Sequence, residues 1–401
     1  MVDRLSTLQI FQSGISTILE RQADLARTQQ ELSTGRRILS PSDDPAGAVK
    51  VLDIEEDLRQ IDQYQRNAST AEGQLAFEDT TLSSVTDVLQ RVRELSLQAN
   101  NATIGAEGRA AIAVELDSRL EELVSLANTR DANDEYIFAG FQAESEPFSQ
   151  SGGQVTYNGD DGQRFIDISS GSQVAVRDSG SRVFLAVPAG NGTFDFSVSG
   201  NAGTAVVSSA SADGTFVRDS YSVNFIQALP TDPITYEVVD SGANVVATGN
   251  YESGDAISFN GATITVGGEP VNGDSISIDS TASQSVFQTV REIADVLRNA
   301  SDTPANNAEV NNTIASGLLN LDQALGNVLS VQADVGSRLN RIDSQQAINE
   351  DFNLQLETSL SEVQDVDFAE AISRLNLQQV ALQAAQQTFV TTQRLSLFDY
   401  F

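Results

Sequence analysis

The sequence predicts a mainly α-helical protein with an inserted β domain. Helices from both chain ends are expected to form an elongated antiparallel coiled-coil rod, and the insertion a small β-sandwich or barrel. Two observations support this fold class. Near both ends, apolar residues recur every three or four positions, which is typical of helices that pack side by side. The middle is rich in glycine and alternates apolar with polar residues, which is typical of short strands.

The first helix is predicted by an apolar stripe near the N-terminus. Its members alternate between spacings of three and four, so they share one helix face. Gly35 follows the stripe, at a position suited to a left-handed helix stop. The stripe comprises Leu8, Phe11, Ile15, Ile18, Gln22, Leu25, Gln29 and Leu32.

A turn and a second helix start follow this stop. Asp44 is a good N-cap, and Pro45 suits the first helical turn. Arg36 and Arg37 permit two interpretations: they complement the C-terminal end of the first helix and the carboxylates of Asp43 and Asp44, or they contact a neighbouring subunit. The predicted hinge therefore comprises Gly35, Arg36, Arg37, Asp43, Asp44 and Pro45.

Two further helices are predicted before the middle block. The second helix continues through an apolar stripe as far as Leu89, and a third is expected from about Glu107 to Ala127. At about Phe141 the helical periodicity disappears. Residues 154–168, QVTYNGDDGQRFIDI, are interpreted as a hairpin that turns at 158–162, and residues 235–249 and 257–278 continue the strand pattern.

The C-terminal part returns to helix at about residue 282. A short helix uses Phe287, Val290 and Leu297, and a very long stripe runs from beyond Pro304 to Val363. After residues 365–367 the pattern restarts as a last helix. Its apolar candidates are Phe368, Ile372, Leu375, Leu382, Phe389, Leu397 and Phe398.

Glutamines interrupt the stripes of both terminal helices. They are Gln22 and Gln29 in the first and Gln379, Gln386 and Gln393 in the last. Such residues either become buried and fix register and partner number, or flank the stripe and stay hydrated. Both interpretations remain open from the sequence.

These elements divide the chain into five segments. A thin rod cannot bury every stripe internally, so we expect the outermost helices to bury theirs against other subunits and to be uncovered in the monomer. The segments are an N-terminal assembly helix (1–40), the N-terminal helical core (41–140), the inserted β-rich outer domain (141–282), the C-terminal helical core (283–363) and a C-terminal assembly helix (364–401).

Composition narrows the function classes. With 56 acidic and 23 basic residues the net charge is -33, which argues against nucleic acid and anionic membrane surfaces. The chain has neither cysteine nor histidine, which removes thiolate and imidazole chemistry and most transition-metal sites. Adjacent carboxylates such as Asp43 and Asp44 do not converge on one substrate when they lie on a helix. No catalytic residue, cofactor, metal site or membrane insertion is therefore expected.

Several segments resemble the bacterial flagellin superfamily. LSTGRRILSPSDDPAGA, residues 32–48, resembles its N-terminal signature, and NDEYIFAGF, residues 133–141, the edge of its core. Residues 259–278 are similar to its inserted β domain, and DVDFAEAISRLNLQQVALQAAQQTF, residues 365–389, to its C-terminal coiled-coil helix. The final SLFDYF and the chain length favour a junction subunit over a filament-forming member.

The resemblance implies a flagellin-like fold and a structural role between hook and filament. It implies export through the flagellar apparatus without a cleaved signal, and an extracellular location in the flagellum. It also implies four partners: other copies of the chain in a ring or helical tier, the hook-side junction protein, flagellin, and an export chaperone that covers the last helix. A filament-forming flagellin is the nearer alternative, and a secreted adhesin the more distant one.

Overall fold

The computed structural model describes residues 7–229, 231–280 and 283–398. These residues form two compact units. The first unit combines the described residues up to Arg66 with those from Gln345 onward, and the second runs from Asn67 to Ser344. Both long helices of the chain contribute to both units.

The described residues contain six α-helices, which match the predicted helical segments closely. Pro45 opens the second helix, as its start signals indicated, and the long C-terminal helix begins at Pro304, ahead of the predicted stripe. The helices are α1 (Thr7–Thr34), α2 (Pro45–Ala99), α3 (Ala106–Ala127), α4 (Val286–Arg298), α5 (Pro304–Gln364) and α6 (Phe368–Phe398).

The middle block contains twelve strands within the described residues and one π-helical turn at Ser181–Leu185. All their pairings are antiparallel. Two sheets are isolated hairpins, β1–β2 and β3–β4, and the larger sheets have the strand orders β10-β11-β6 and β5-β12-β7-β8-β9. The strands are β1 (Phe148–Ser151), β2 (Gln154–Tyr157), β3 (Arg164–Ser169), β4 (Ser172–Val176), β5 (Asp195–Ser197), β6 (Val206–Ala212), β7 (Ser220–Ile226), β8 (Thr235–Val239), β9 (Val245–Asn250), β10 (Ala256–Phe259), β11 (Ala262–Gly267) and β12 (Ser275–Asp279).

The second unit has two hydrophobic cores. In the first, α2, α3, α4 and α5 pack around fully buried residues such as Leu82, Leu89 and Leu116. Both hairpins belong to this helical core, because Phe148 of β1 and Ile168 of β3 are buried in it. The second core lies between the three-stranded and the five-stranded sheet, and it agrees with the predicted β-sandwich.

The predicted hairpin around residues 158–162 is wrong. β2 pairs with β1 and β3 pairs with β4, so the strands on either side of this loop do not pair with each other. The loop instead folds onto the preceding segment. The Asp160 carboxylate accepts the backbone N–H groups of Phe141 and Gly162 at 2.9 and 2.7 Å, and the Asp160 N–H donates to Ala139. Asp160 therefore stabilises a loop that connects two separate hairpins, rather than a turn within one hairpin.

None of the described helices is both long enough and apolar enough to cross a membrane.

Candidate assembly interface

Helices α1 and α6 pack against each other in antiparallel orientation within the first unit. The Phe11 and Phe389 ring centroids lie 5.3 Å apart. Gly14 makes this approach possible, because a Cβ there would lie 2.7 Å from the Phe389 ring. An aromatic pair of this kind contributes about 0.5–1.5 kcal/mol beyond its area burial.

This pairing corrects the expectation that both terminal stripes lack a partner within the chain. The chain reverses at residues 365–367, so α6 returns along α1 and covers part of the stripe. Asp367 sets the start of α6, since its carboxylate accepts the N–H groups of Ala369 and Glu370 at 2.9 and 3.1 Å. Two antiparallel helices with seven-residue patterns can shield one another in this way.

The helix pair nevertheless leaves much apolar surface exposed. Leu377 and Val380 of α6 are 69% and 64% exposed, and Leu19 of α1 is 59% exposed. Among the candidates, Phe11, Ile15, Phe368 and Ile372 are exposed, whereas Ile18, Leu25, Leu32, Leu375, Leu382 and Phe389 are half-buried. The side chains of Leu8, Leu397 and Phe398 lie outside the described residues.

The first unit exposes further apolar residues that the sequence did not single out. They lie near the start of α2 and in the C-terminal part of α5, two helices that also contribute buried residues to the helical core of the second unit. The apolar stripes of α2 and α5 did not indicate in the sequence that one segment of each helix leaves apolar side chains exposed. They are Val49, Leu52, Ile348, Phe352 and Leu354.

The predicted helix stop at Gly35 is confirmed. α1 ends at Thr34, Gly35 has φ +73°, and its N–H donates to Glu31 O at 2.9 Å. This is the left-handed C-cap, a conformation that glycine adopts without steric cost. The N-cap is also confirmed, because Asp44 Oδ1 accepts the N–H of Gly47 at 2.9 Å. That hydrogen bond is the main cause that lowers the pKa of Asp44.

Arg37 binds one predicted partner and one unpredicted partner. Its Nη1 lies 3.4 Å from Asp44 Oδ2, as expected. Its Nη2 donates to Val363 O at 2.7 Å, so it satisfies the C-terminal end of α5 rather than that of α1. Arg36 is exposed, and its backbone forms an antiparallel bridge with Asp365.

This bridge holds the turn to the junction between α5 and α6. Arg37 N donates to Gln364 O at 2.7 Å, and Val366 N donates to Gly35 O at 2.9 Å. The two predicted helix breaks, which are more than three hundred residues apart in sequence, therefore lie side by side. The backbones of Gly35 and Arg37 form the hydrogen bonds that join the two breaks. Gly35 also ends α1, and the Arg37 side chain also binds Asp44 and Val363.

Charged side chains hold the turn and the helix pair together. Asp43 accepts the N–H groups of Ser40 and Leu39 at 2.8 and 3.1 Å and pairs with Arg27 at 2.7 Å. The Ser40 N–H is the largest cause that lowers the pKa of Asp43. Glu31, which is buried, pairs with Arg374 of α6 at 2.7 Å. The sequence gave no signal for this pair, since it depends on the register of two distant helices.

The chain matches two known family models. Residues 5–143 match the bacterial flagellin N-terminal helical region, and residues 318–401 match the bacterial flagellin C-terminal helical region. Among solved structures, FlgL from Xanthomonas campestris is 32% identical, with a TM-score of 0.72, over 77% of this chain and 99% of that chain. The flagellar junction protein FlgL from Legionella pneumophila is also 32% identical, with a TM-score of 0.71, over 79% of this chain and 100% of that chain.

The chain belongs to the FlgL family of the bacterial flagellin superfamily. Flagellar hook-associated protein 3 from Escherichia coli K12 is 27% identical over 396 residues, which is 99% of both chains. The FlgL family match therefore includes the inserted β domain, which the two flagellin family models leave out. The turn and all of α1 as described lie within the N-terminal match, and α6 lies within the C-terminal match.

Proposed function

We propose that this chain is a structural subunit of the bacterial flagellum that forms the junction between hook and filament. The observation that carries the proposal is the apolar surface of the first unit, where α1, α6 and the adjoining parts of α2 and α5 expose large side chains. Monomeric soluble proteins rarely expose such surface unless it binds a partner. The relatives support the junction role, since one of them is described as the flagellar junction protein.

The proposed assembly surface consists of α1 and α6 residues that remain exposed once the two helices have paired. Burial of apolar surface against neighbouring copies contributes roughly 25 cal/mol per Å². Neighbouring copies each carry a charge of -33, so assembly requires salt to screen the repulsion. Leu8, Leu397 and Phe398 remain predicted assembly residues whose side chains lie outside the described residues. We further propose that Arg36, an exposed residue of the turn, contacts a neighbouring subunit.

We assign four partners to this subunit: other copies in a ring or helical tier, the hook-side junction protein, flagellin, and an export chaperone that covers α6. The exposed side chains of Leu377 and Val380 offer the chaperone an apolar binding surface, which has to be shielded before assembly. The chain passes through the flagellar export apparatus and functions outside the cell. The absence of cysteine suits passage through a narrow channel, because no disulfide can form on the way.

The decisive experiment removes the gene for this chain from a motile strain. We expect hooks without filaments, with flagellin released into the medium, and we expect the wild-type chain to restore filaments. The matched complementation uses Ile372→Asp on α6 and Gln90→Asp on α2, two exposed positions that gain the same charge, of which only Ile372 belongs to the proposed assembly surface. Restoration by Gln90→Asp but not by Ile372→Asp supports the assembly surface. Normal filaments in the deletion strain would contradict the junction role.

The polymerisation behaviour of the purified chain separates the junction role from that of a filament flagellin. A junction subunit stops after a short tier, so electron microscopy at moderate salt should show short assemblies or none. Long filaments formed by this chain alone would favour the flagellin alternative.

A further inference from the structure

A fully buried glutamate lies in the second unit and is not one of the proposed assembly residues. Glu78 of α2 has no exposed surface, and its Oε1 accepts the backbone N–H of Asp178 at 2.8 Å. Its Oε2 is buried and has no hydrogen-bond partner among the described residues. A carboxylate in this position would carry a buried charge that nothing compensates directly, so the site favours the neutral carboxylic acid.

The nearby cations are bound by Asp178 instead. Asp178 Oδ1 accepts Arg182 Nη1 at 2.7 Å and Arg338 Nη2 at 3.1 Å, while Oδ2 accepts Arg338 Nη1 at 3.0 Å. Gln163 donates a further hydrogen bond at 3.1 Å. Asp178 is therefore the carboxyl group of this buried pair that binds the cations, and Glu78 is the one that binds no cation directly.

The charged groups around Glu78 come from three elements. α2 contributes Glu78 itself, the segment after β4 contributes Asp178 and Arg182, and α5 contributes Arg338 and Asp334, which pairs with Arg182. Burial and then the Asp178 charge raise the pKa of Glu78 to about 8, against smaller opposing effects of the Asp178 and Arg177 N–H groups and of Arg338.

The guanidinium of Arg177 is directed elsewhere and does not compensate Glu78. Its Nη2 lies 2.6 Å from Asp131 Oδ2, and its Nη1 lies 2.7 Å from Glu135 Oε2. Arg177 is also left-handed, with φ +63°. A residue other than glycine keeps that conformation only where its surroundings enforce it.

The π-helical turn Ser181–Leu185 follows shortly after Arg177 and is tied to α5. Asn327 Nδ2 of α5 donates to the carbonyl oxygens of Arg182 and Val183 at 2.9 and 3.0 Å. Residues 177–185 therefore combine an unusual backbone with ties to α2 on one side, through Glu78, and to α5 on the other. The tie to α2 runs through a buried carboxyl group, which can ionise.

We propose that Glu78 is a proton-dependent lock that holds residues 177–185 between α2 and α5. The lock is closed while Glu78 is protonated. When Glu78 ionises, its charge faces Asp178, whose cations are already engaged, and the segment detaches from α2. In the detached state Glu78 is solvated and titrates normally, near pH 4.5. Between that pH and the higher pKa of the closed state, opening becomes about tenfold more favourable for each pH unit.

The test compares the wild type with Glu78→Gln, which keeps the shape and removes the titration. Glu94→Gln is the matched control, because Glu94 lies on the same helix and is exposed. Exchange of the Asp178 amide hydrogen reports opening directly, since this N–H donates to Glu78. We expect the ratio of wild-type to Glu78→Gln exchange to rise by about tenfold per pH unit between pH 5 and 8. The ratio of the Asp178 exchange rate in the wild type to that in Glu94→Gln should stay constant over the same pH range.

Carbon-13 NMR of the glutamate side-chain carboxyls gives a second, direct measurement that does not need the variant to fold. The wild type alone decides the outcome, because it should show one carboxyl that titrates near pH 8. The proposal is overturned if every glutamate carboxyl of the folded wild type titrates below pH 6. It is also overturned if the Asp178 exchange ratio is constant from pH 5 to 9.

Discussion

The same apolar repeat produces two different environments in this molecule. In the second unit, Leu75, Leu82 and Leu89 of α2 have no exposed surface. In the first unit, Ile15 of α1 and Ile372 of α6 belong to stripes of similar spacing, yet 38% and 50% of their surface is exposed. The repeat therefore fixes which residues share a helix face, whereas the number of neighbouring elements decides whether that face is covered.

The difference separates residues that stabilise the chain from residues that remain available to a partner. Four helices and two hairpins surround the helical core of the second unit. In the first unit α1 and α6 cover each other only along one side, and their other sides keep apolar residues such as Leu377. Substitutions in the two regions should consequently differ in what they damage.

The largest loss of stability is expected in the helical core of the second unit. Leu82→Ala removes a fully buried side chain and leaves a cavity, so it should lower the free energy of unfolding by about 2–5 kcal/mol. Chemical denaturation of the purified monomer measures this loss. A loss below about 1 kcal/mol would mean that this core collapses around the cavity and is not closely packed.

The aromatic contact between the terminal helices should contribute less. Phe389→Ala removes a half-buried ring, so we expect a loss of about 2 kcal/mol in the free energy that holds α1 to α6. A double-mutant cycle with Phe11→Ala should give a coupling of about 0.5–1.5 kcal/mol. The rate of proteolysis within α6 measures how often the α1–α6 helix pair opens in each variant. Zero coupling would show that the two rings do not interact in solution.

The sequence predicts the ends of the helices better than it predicts which helices pair. The helix ends were predictable because each break carries local chemistry: Gly35 has a left-handed backbone, Asp44 caps α2, and residues 365–367 separate α5 from α6. Two features were not predictable, the pairing of α1 with α6 and the Glu31–Arg374 ion pair. Both depend on the register between segments that are distant in sequence, which no local pattern specifies.

The misassigned hairpin has the same physical origin. Asn158 and Gly159 are strong turn residues, and the flanking segments do form strands, so the local pattern was correct in part. The partner of each strand was decided elsewhere, by Asp160 binding the Phe141 backbone and by Phe148 entering the helical core. A turn signal predicts a change of direction, and it does not identify the strand that pairs.

Two glycine substitutions sharpen the comparison because the same change should have opposite signs. Gly35→Ala places a side chain at φ +73°, which should destabilise the turn by about 1–2 kcal/mol. Gly73 lies within α2, and a Cβ at this position would meet no atom within 4 Å, so Gly73→Ala should stabilise by about 0.5–1 kcal/mol. Thermal unfolding of both variants measures the difference. Equal effects of one sign would remove the left-handed assignment of Gly35.

The smallest effect on stability is expected for a substitution at Ile372, although the same substitution should abolish assembly. Ile372 is half exposed on α6, so Ile372→Asp should change the free energy of unfolding by no more than about 0.5 kcal/mol. In an assembled tier the same aspartate would be buried without a cation, and such a charge is strongly unfavourable. Gln90→Asp adds the same charge at an exposed position of α2 in the second unit, outside the proposed assembly surface, and should leave assembly intact. Denaturation of the monomers and filament attachment on complemented cells give the two measurements for each variant. If Ile372→Asp supported normal filaments, the exposed apolar side of α6 would not be an interface, and the stripe would serve only to pair α6 with α1.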